Sequence, residues 1–316
     1  MSNCTKVTWL LPVKNGMPYI TETLASIEAQ TYRNWVIIAW DNNSSDGTLE
    51  ELYKWIPERI PGKIVCDNPL PLVECLDEMV KMADTEYCAR IDADDINLPS
   101  RLEKQIEYLE AHPEVGAVGS NITTINIDGE TTNSFGLLNS HHNDILHMML
   151  VCNPLAHPVV TFRRSAVIQA GNYNKTNALC AEDYDLWMRL AHFYKLANLE
   201  EKLLLYRVHA KSKTNQEKRD NVLAANLNHL FSENAPTLYG ISKSDALKLR
   251  ELQYNPSILI LWKISSHLSK IHGGSIISRM RSESFINSSR QLTSKSDYLS
   301  RIIIKFLSLI KLRIER

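Results

Sequence analysis

Short apolar runs alternate with helix-like segments along the N-terminal part of this chain, and nearly every run stops at a cluster of polar residues. Val7 to Val13 leads into Lys14-Asn15-Gly16, and Trp35 to Trp40 into Asp41-Asn42-Asn43-Ser44-Ser45-Asp46-Gly47. Ile64 to Cys66 is a short third run, and Tyr87 to Ile91 leads into Asp92-Ala93-Asp94-Asp95. Between them lie Tyr19 to Gln30, with Ile20, Leu24 and Ile27 at helical spacing, a segment from Thr48 toward Trp55, and Leu72 to Met82. Strand-length runs punctuated by amphipathic helices predict an α/β domain with a largely parallel sheet. Ligands of such sheets bind outside the carboxyl ends of the strands, where these polar clusters fall.

Further along, Pro99 to Glu110 reads as a helix with Leu102, Ile106 and Leu109 on one face, closed by His112-Pro113. Val115 to Val118 and Ile122 to Ile127 read as two strands, the second leading to an Asp128-Gly129 hairpin turn. From Asp144 to Arg207 the two patterns mix, and no internal repeat is present.

Three carboxylates within four residues, Asp92, Asp94 and Asp95, call for a cation. On an extended backbone Asp92 and Asp94 share a face and converge, while Asp95 points away. Carboxylates without Cys or His beside them suit a hard divalent ion such as Mg²⁺ or Mn²⁺, and Mg²⁺ commonly shares its shell with substrate phosphates. A solvated acidic turn is the alternative.

With 316 residues and 44% apolar content the chain buries an ample core, which excludes a disordered protein. The six cysteines include no Cys-x-x-Cys pair and the N-terminus lacks the regions of a secretory signal, so the expectation is a reduced, cytosolic protein. The apolar runs Ile258 to Trp262 and Ile302 to Ile304 fall far short of the roughly 18 to 20 residues of a spanning helix. A net charge of −1 conceals an asymmetry: residues 258–316 carry 11 Lys or Arg against 3 acids, a net of +8, leaving −9 on residues 1–257. Separate roles for the two segments are expected.

Four segments in order carry a family resemblance: Leu11-Pro12-Val13-Lys14-Asn15-Gly16, Asp41 to Thr48, Arg90-Ile91-Asp92-Ala93-Asp94-Asp95, and Glu182-Asp183-Tyr184-Asp185-Leu186-Trp187. Together the chain resembles a family 2 glycosyltransferase with the GT-A fold, a Rossmann-like nucleotide-binding sheet flanked by helices. Arg101 with Gln105, His157-Pro158 and Tyr206-Arg207-Val208-His209 add to the likeness. It covers about residues 5–215, leaving 216–316 as a helical, basic C-terminal region.

The resemblance implies an inverting transfer of a hexose (Gal, Glc or an N-acetylated form) from a UDP-sugar, with Mn²⁺ or Mg²⁺ as cofactor. It makes Asp94 the metal ligand, and Asp92 a contact of ribose or of the ion through water. Asp41 would accept the uracil N3 hydrogen, and the Pro12 to Asn15 exit loop would cradle the base. Arg90 either reaches a phosphate oxygen or pairs with Asp92. His209 is either a further metal ligand or structural. Asp183 is the general base that one inverting step requires, although acids at a helix start also complement its dipole. Asp46, Asp95, Glu182 and His157 stay open between structural and ligand roles. Where a second acid often follows the first in this family, Asn42 follows Asp41.

The implied acceptor is a polyprenyl-diphosphate-linked sugar of O-antigen (lipopolysaccharide) or capsule synthesis, on the inner face of the cytoplasmic membrane. Residues 298–316 place Arg301, Lys305, Ser308 and Lys311 on one helical face and apolar residues on the rest, and 256–271 repeat the theme with Lys263 and Lys270. Such helices lie on an anionic membrane surface as peripheral anchors, or else pack on the body or on a second copy. Oligomeric state is not legible. Nucleic acid is not an expected partner, since basic and aromatic residues do not interleave. The rival readings are a membrane-associated scaffold without catalysis and an Asp-x-Asp phosphatase, against which Ile96 stands two residues after Asp94.

Overall fold

A computed structural model describes residues 5–133, 141–150, 153–173, 181–209 and 222–250. Strand β1 (Val7–Val13) runs parallel between β2 (Trp35–Asp41) and β4 (Tyr87–Arg90), and β3 (Gly62–Val65) lies parallel outside β2. Helices α1 (Ile20–Glu28), α2 (Thr48–Trp55) and α3 (Leu72–Met82) connect them. Strand side chains alternate between two cores. Leu10, Ile38 and Cys88 join Leu76 and Met79 of α3, whereas Trp9, Leu11, Ile37 and Ala39 join Leu24 and Ile27 of α1 and Leu52 of α2. Both faces are covered, which is why these strands read as unbroken apolar runs.

Beyond β4 the sheet changes direction. Strand β8 (Thr161–Arg163) is antiparallel to β4 and to β6 (Val115–Ile125), β6 is parallel to β9 (Lys195–Arg207), and β5 (Ile96–Asn97) closes the order β3-β2-β1-β4-β8-β6-β9-β5. The short β7 (Thr131–Asn133) pairs with β6 across the expected Asp128-Gly129 turn, where Gly129 takes φ 81. Helices α4 (Arg101–Ala111), α5 (His142–Met149), α6 (Arg164–Gln169) and α7 (Glu182–Leu190), with a 3-10 turn at His157–Val159, surround this half. Helices α8 (Val222–Tyr239) and α9 (Lys243–Arg250) follow, and Phe231, Ala235, Leu238 and Tyr239 enter the same core as Leu186 and Trp187 of α7.

Two expectations change. Residues 115–125 form one strand: Gly119-Ser120-Asn121, which reads as a break, stays buried and paired with β9 through an irregular register. Strand β4 ends at Arg90, so the acidic run is a loop beyond it. The amphipathic segments 256–271 and 298–316 lie outside the described residues, as do Cys4, Cys152 and Cys180. Cys66, Cys75 and Cys88 are free thiols, and among the described residues no helix is long and apolar enough to cross a membrane.

One side chain ties the halves together. Arg101, at the start of α4, is completely buried, and burial lowers its pKa. Its guanidinium donates to Arg90 O (2.7 Å), Pro158 O (2.9 Å), Val160 O (3.4 Å), Asn97 Oδ1 and Gln105 Oε1 (3.2 Å). Gln105 in turn donates to Val159 O (2.7 Å) and accepts from Thr161 Oγ1 (2.6 Å). The end of β4 and the 3-10 turn are thereby clamped to one helix. Arg101→Leu strips this donor from the buried Arg90 O, Pro158 O and Asn97 Oδ1, at about 1–3 kcal/mol for each unsatisfied group. The expected outcome is a loss of at least about 3 kcal/mol in urea unfolding, with Arg101→Lys recovering only part because an ammonium cannot fork.

Candidate active site

The exit loops of β1 and β2 are stitched together residue by residue. Asn15, at φ 55, accepts from the Ser45 N–H (2.9 Å) while its own N–H donates to Ser44 Oγ (2.8 Å). The Gly16 N–H donates to Thr48 Oγ1 (2.8 Å), and the Met17 N–H to Asp46 Oδ2 (2.9 Å). Asp46 also accepts from the Thr48 N–H (3.1 Å), the first residue of α2, after Gly47 has turned the chain at φ 93. Burial pushes the Asp46 carboxyl up, but the bonds from Thr48 and Met17 outweigh it and hold it below its ordinary value. Asp46 therefore serves the helix start.

Pro12 lies inside β1 rather than in its exit loop, opposite Trp40 of β2. Leu10 O accepts from the Ile91 N–H (3.3 Å) on the β4 side, and the β1–β4 pairing ends there. Alternate residues face the same neighbour, so Pro12 turns its missing N–H toward the side from which β4 has departed. A proline is tolerated there, and the sheet opens at this point.

Asp41, at the end of β2, is buried, and its Oδ2 accepts from the Ser44 N–H (3.0 Å). Its Oδ1 is buried with no hydrogen-bond partner among the described residues. A buried carboxylate oxygen lacking a donor costs stability, and an N–H from a ligand would satisfy it.

The acidic run is a turn, with the Asp95 N–H donating to Asp92 O (3.3 Å), so strand alternation is not what arranges its carboxylates. Asp92 Oδ1 pairs with the buried Arg90 guanidinium at 2.6 Å. Asp94 Oδ2 lies 2.8 Å from His209 Nε2. Asp95 is fully buried, and its Oδ1 accepts from the backbone N–H of Arg207 (2.8 Å), so it orders the loop and does not cap α4. Arg207 reaches back to Asp94 O (2.9 Å), to Asn126 O (3.3 Å) and Ile127 O (3.2 Å), and to Glu22 (2.9 Å), with its guanidinium over the Tyr19 ring. Burial, then the like charge of its neighbours in the run, raises the carboxyl pKa of Asp94 and, more strongly, of Asp95.

Crowded, half-buried carboxylates of this kind favour a bound cation. Asp94 and His209 in contact, with Asp92 in the same turn, fit Mn²⁺ or Mg²⁺. Among the described residues no three His, Cys, Asp or Glu assemble into a cage, so an ion here would complete its shell with water and substrate oxygens, as Mg²⁺ on phosphates does.

Three acids open α7, and their surroundings separate them. Asp185 is buried, paired with Arg189 (2.7 Å) and bonded by Asn234 Nδ2 (3.1 Å). Glu182 is buried with its Oε1 4.0 Å from His157 Nδ1. Asp183 is the least buried, and accepts from Asn153 Nδ2 (2.6 Å) and from the Tyr184 N–H (2.8 Å). His157 is buried and so does not line an open acceptor cleft, and Trp187 is a core residue. Sequence reasoning missed Asn153 and Tyr173, whose hydroxyl lies 2.7 Å from His157 Nε2. Asn153-Pro154, four residues before His157-Pro158, was the available signal for the first, and Tyr173 carried none.

Residues 8–167 match the family model described as Glycosyl transferase family 2. The amylovoran biosynthesis glycosyltransferase AmsE of Erwinia amylovora is 33% identical over 191 residues, 60% of this chain and 70% of its own. The O-antigen biosynthesis glycosyltransferase WbnJ of Escherichia coli is 32% identical over 212 residues, 65% of this chain and 81% of its own. Among solved structures, S. aureus TarS 1-349 in complex with UDP-GlcNAc superposes with a TM-score of 0.58 at 13% identity, covering 94% of this chain and 84% of that one. The mannosyltransferase PcManGT from Pyrobaculum calidifontis, in complex with GDP-Man and Mn²⁺, gives 0.59 at 17% identity, covering 96% and 85%. A parallel sheet that turns antiparallel after β4, with the acidic loop at that switch and a family match over half the chain, sets the phosphatase reading aside: the chain belongs to glycosyl transferase family 2 and has the GT-A fold.

Proposed function

We propose that this enzyme is an inverting transferase that moves a hexose from a UDP-sugar to a hydroxyl of a polyprenyl-diphosphate-linked sugar during surface polysaccharide synthesis. The observation that carries the donor assignment is Asp41, whose buried Oδ1 lacks an N–H that uracil N3 supplies. The loop after Pro12, fixed by Asn15, backs the base, and Asp92, anchored by Arg90, meets the ribose. Asp94 and His209 would hold Mn²⁺ or Mg²⁺, which offsets the charge that grows on the departing diphosphate. Asp183 receives the proton of the attacking acceptor hydroxyl on the face opposite the diphosphate, and attack from that side inverts the anomeric centre. The Asn153 amide and the Tyr184 N–H, both donating to this carboxylate, orient it at the start of α7.

The amylovoran and O-antigen roles of AmsE and WbnJ support a polysaccharide product. The net +8 of residues 258–316 and the basic stripe at Arg301, Lys305 and Lys311 support a lipid-linked acceptor reached from the cytoplasmic membrane face. On this reading residues 1–215 carry out the chemistry, and the region from 216 attaches it peripherally through its basic segments after 257, since α8 and α9 pack into the core of the body.

Calorimetric titration tests the base: UDP should bind at least about 10-fold more tightly than GDP, and Asp41→Ala should remove about that factor, the scale of one charged hydrogen bond. Equal affinity for GDP would replace uridine with guanosine in the donor. EDTA should abolish transfer and Mn²⁺ or Mg²⁺ restore it, whereas full turnover in EDTA removes the ion from the site. Asp183→Asn should keep donor affinity while transfer falls by about 10² or more, and a normal rate in that variant moves the base elsewhere.

A further inference from the structure

Beneath the two acidic clusters runs a buried polar chain that none of the roles above uses. Tyr173 follows α6, His157 opens the 3-10 turn and Glu182 is the first residue of α7, and all three are buried. His157 stands between them, hydrogen-bonded through Nε2 to Tyr173 Oη at 2.7 Å and facing Glu182 Oε1 with Nδ1 at 4.0 Å, a through-space contact, and its ring stands edge-on to Trp187 with centroids 6.0 Å apart. Burial pushes the Tyr173 phenol far above its ordinary value, so it stays a neutral hydroxyl. Arg90 stands on the other side, completely buried. Burial works against its charge, and the negative charge of Asp92, with which it also hydrogen-bonds, outweighs that.

Glu182 immediately precedes Asp183, and Ala181 before it takes the left-handed φ of 65, an uncommon conformation for a residue with a β-carbon. The chain therefore enters α7 through a strained residue, held by a glutamate rooted in the interior. The Asp183 carboxylate projects from the turn that this anchor fixes. A shift of about 1 Å at such a group is enough to slow a reaction about 10²-fold.

We propose that His157 and Tyr173 are positioning residues for Asp183, acting through Glu182. This rests on Asp183 being the base that activates the acceptor.

Tyr173→Phe removes one hydroxyl and keeps the ring, and His157→Gln breaks the contact by a second route should the first variant lose its thermal transition. The expected result for either folded variant is a kcat for transfer lower by about 10-fold or more, with UDP affinity by calorimetry within about twofold of the parent. In an Asp183→Asn background the same change should cost nothing further, because residues acting through one group are not additive. A merely structural role would leave the losses multiplying. Parental kcat in both variants beside a crippled Asp183→Asn, or losses that multiply with it, overturns the positioning role alone. Parental turnover in Asp183→Asn itself fails the base assignment and takes the positioning role with it.

Discussion

The site depends on keeping three arginine side chains charged inside the protein. Arg90, Arg101 and Arg207 are each at most 2% exposed; Arg90 and Arg207 bond the loop that carries Asp92, Asp94 and Asp95, and Arg101 bonds the chain on either side of it, at Arg90 and Asn97. Burying a guanidinium is costly unless most of its donors find acceptors, and among the described residues only Arg90 Nε of the three is buried without one. Arg101 spends its donors on neutral oxygens of β4 and the 3-10 turn, and Arg207 on the loop, the β6–β7 hairpin and α1. The backbone of the acidic loop is thereby fixed from two sides. Its outward carboxylates, already crowded, gain from a cation rather than from collapse against one another.

The topology explains why two chemistries meet here. The parallel half of the sheet supplies loops after β1, β2 and β4, a natural cradle for a nucleotide at strand ends. The antiparallel half supplies the 3-10 turn and β9, and beside them α7 brings Asp183. Strand β8 joins the halves by pairing with both β4 and β6. Pro12 marks where β1 and β4 part, and the opening between the halves begins at that residue.

Acids of similar appearance in the sequence end in different physical states. Asp46 is consumed by backbone N–H groups and a hydroxyl, Asp185 by Arg189 and Asn234, and Asp95 by the Arg207 backbone. Asp41 keeps one oxygen without a partner among the described residues, Asp94 faces His209, and Asp183 is partly exposed. What separates Asp41 from Asp46 is the supply of donors and not burial, since Asp46 is the exposed one of the two, and that supply is not a property of the residue type.

The sequence by itself determined the alternation of strands and helices through Met82, the polar loops at the strand ends, and the ordered motifs that mark the family. These are local signals, since hydrophobic period and turn residues act over a few neighbours. It misjudged Pro12, whose place in the strand depends on where β4 leaves β1, and residues 119–121, where pairing with β9 overrides residues that favour a break. The resemblance offered His209 as a ligand of the same ion as Asp94 but not their direct contact across 115 residues, and nothing in the sequence anchored Arg207 on Glu22, 185 residues away. It did not find Asn153 or Tyr173, since an asparagine touching Asp183 and a tyrosine touching His157 look like any others along the chain. Only the tertiary structure decided which carboxylates gather donors from the rest of the protein, because satisfaction depends on donors delivered from distant strands and helices once the chain has folded.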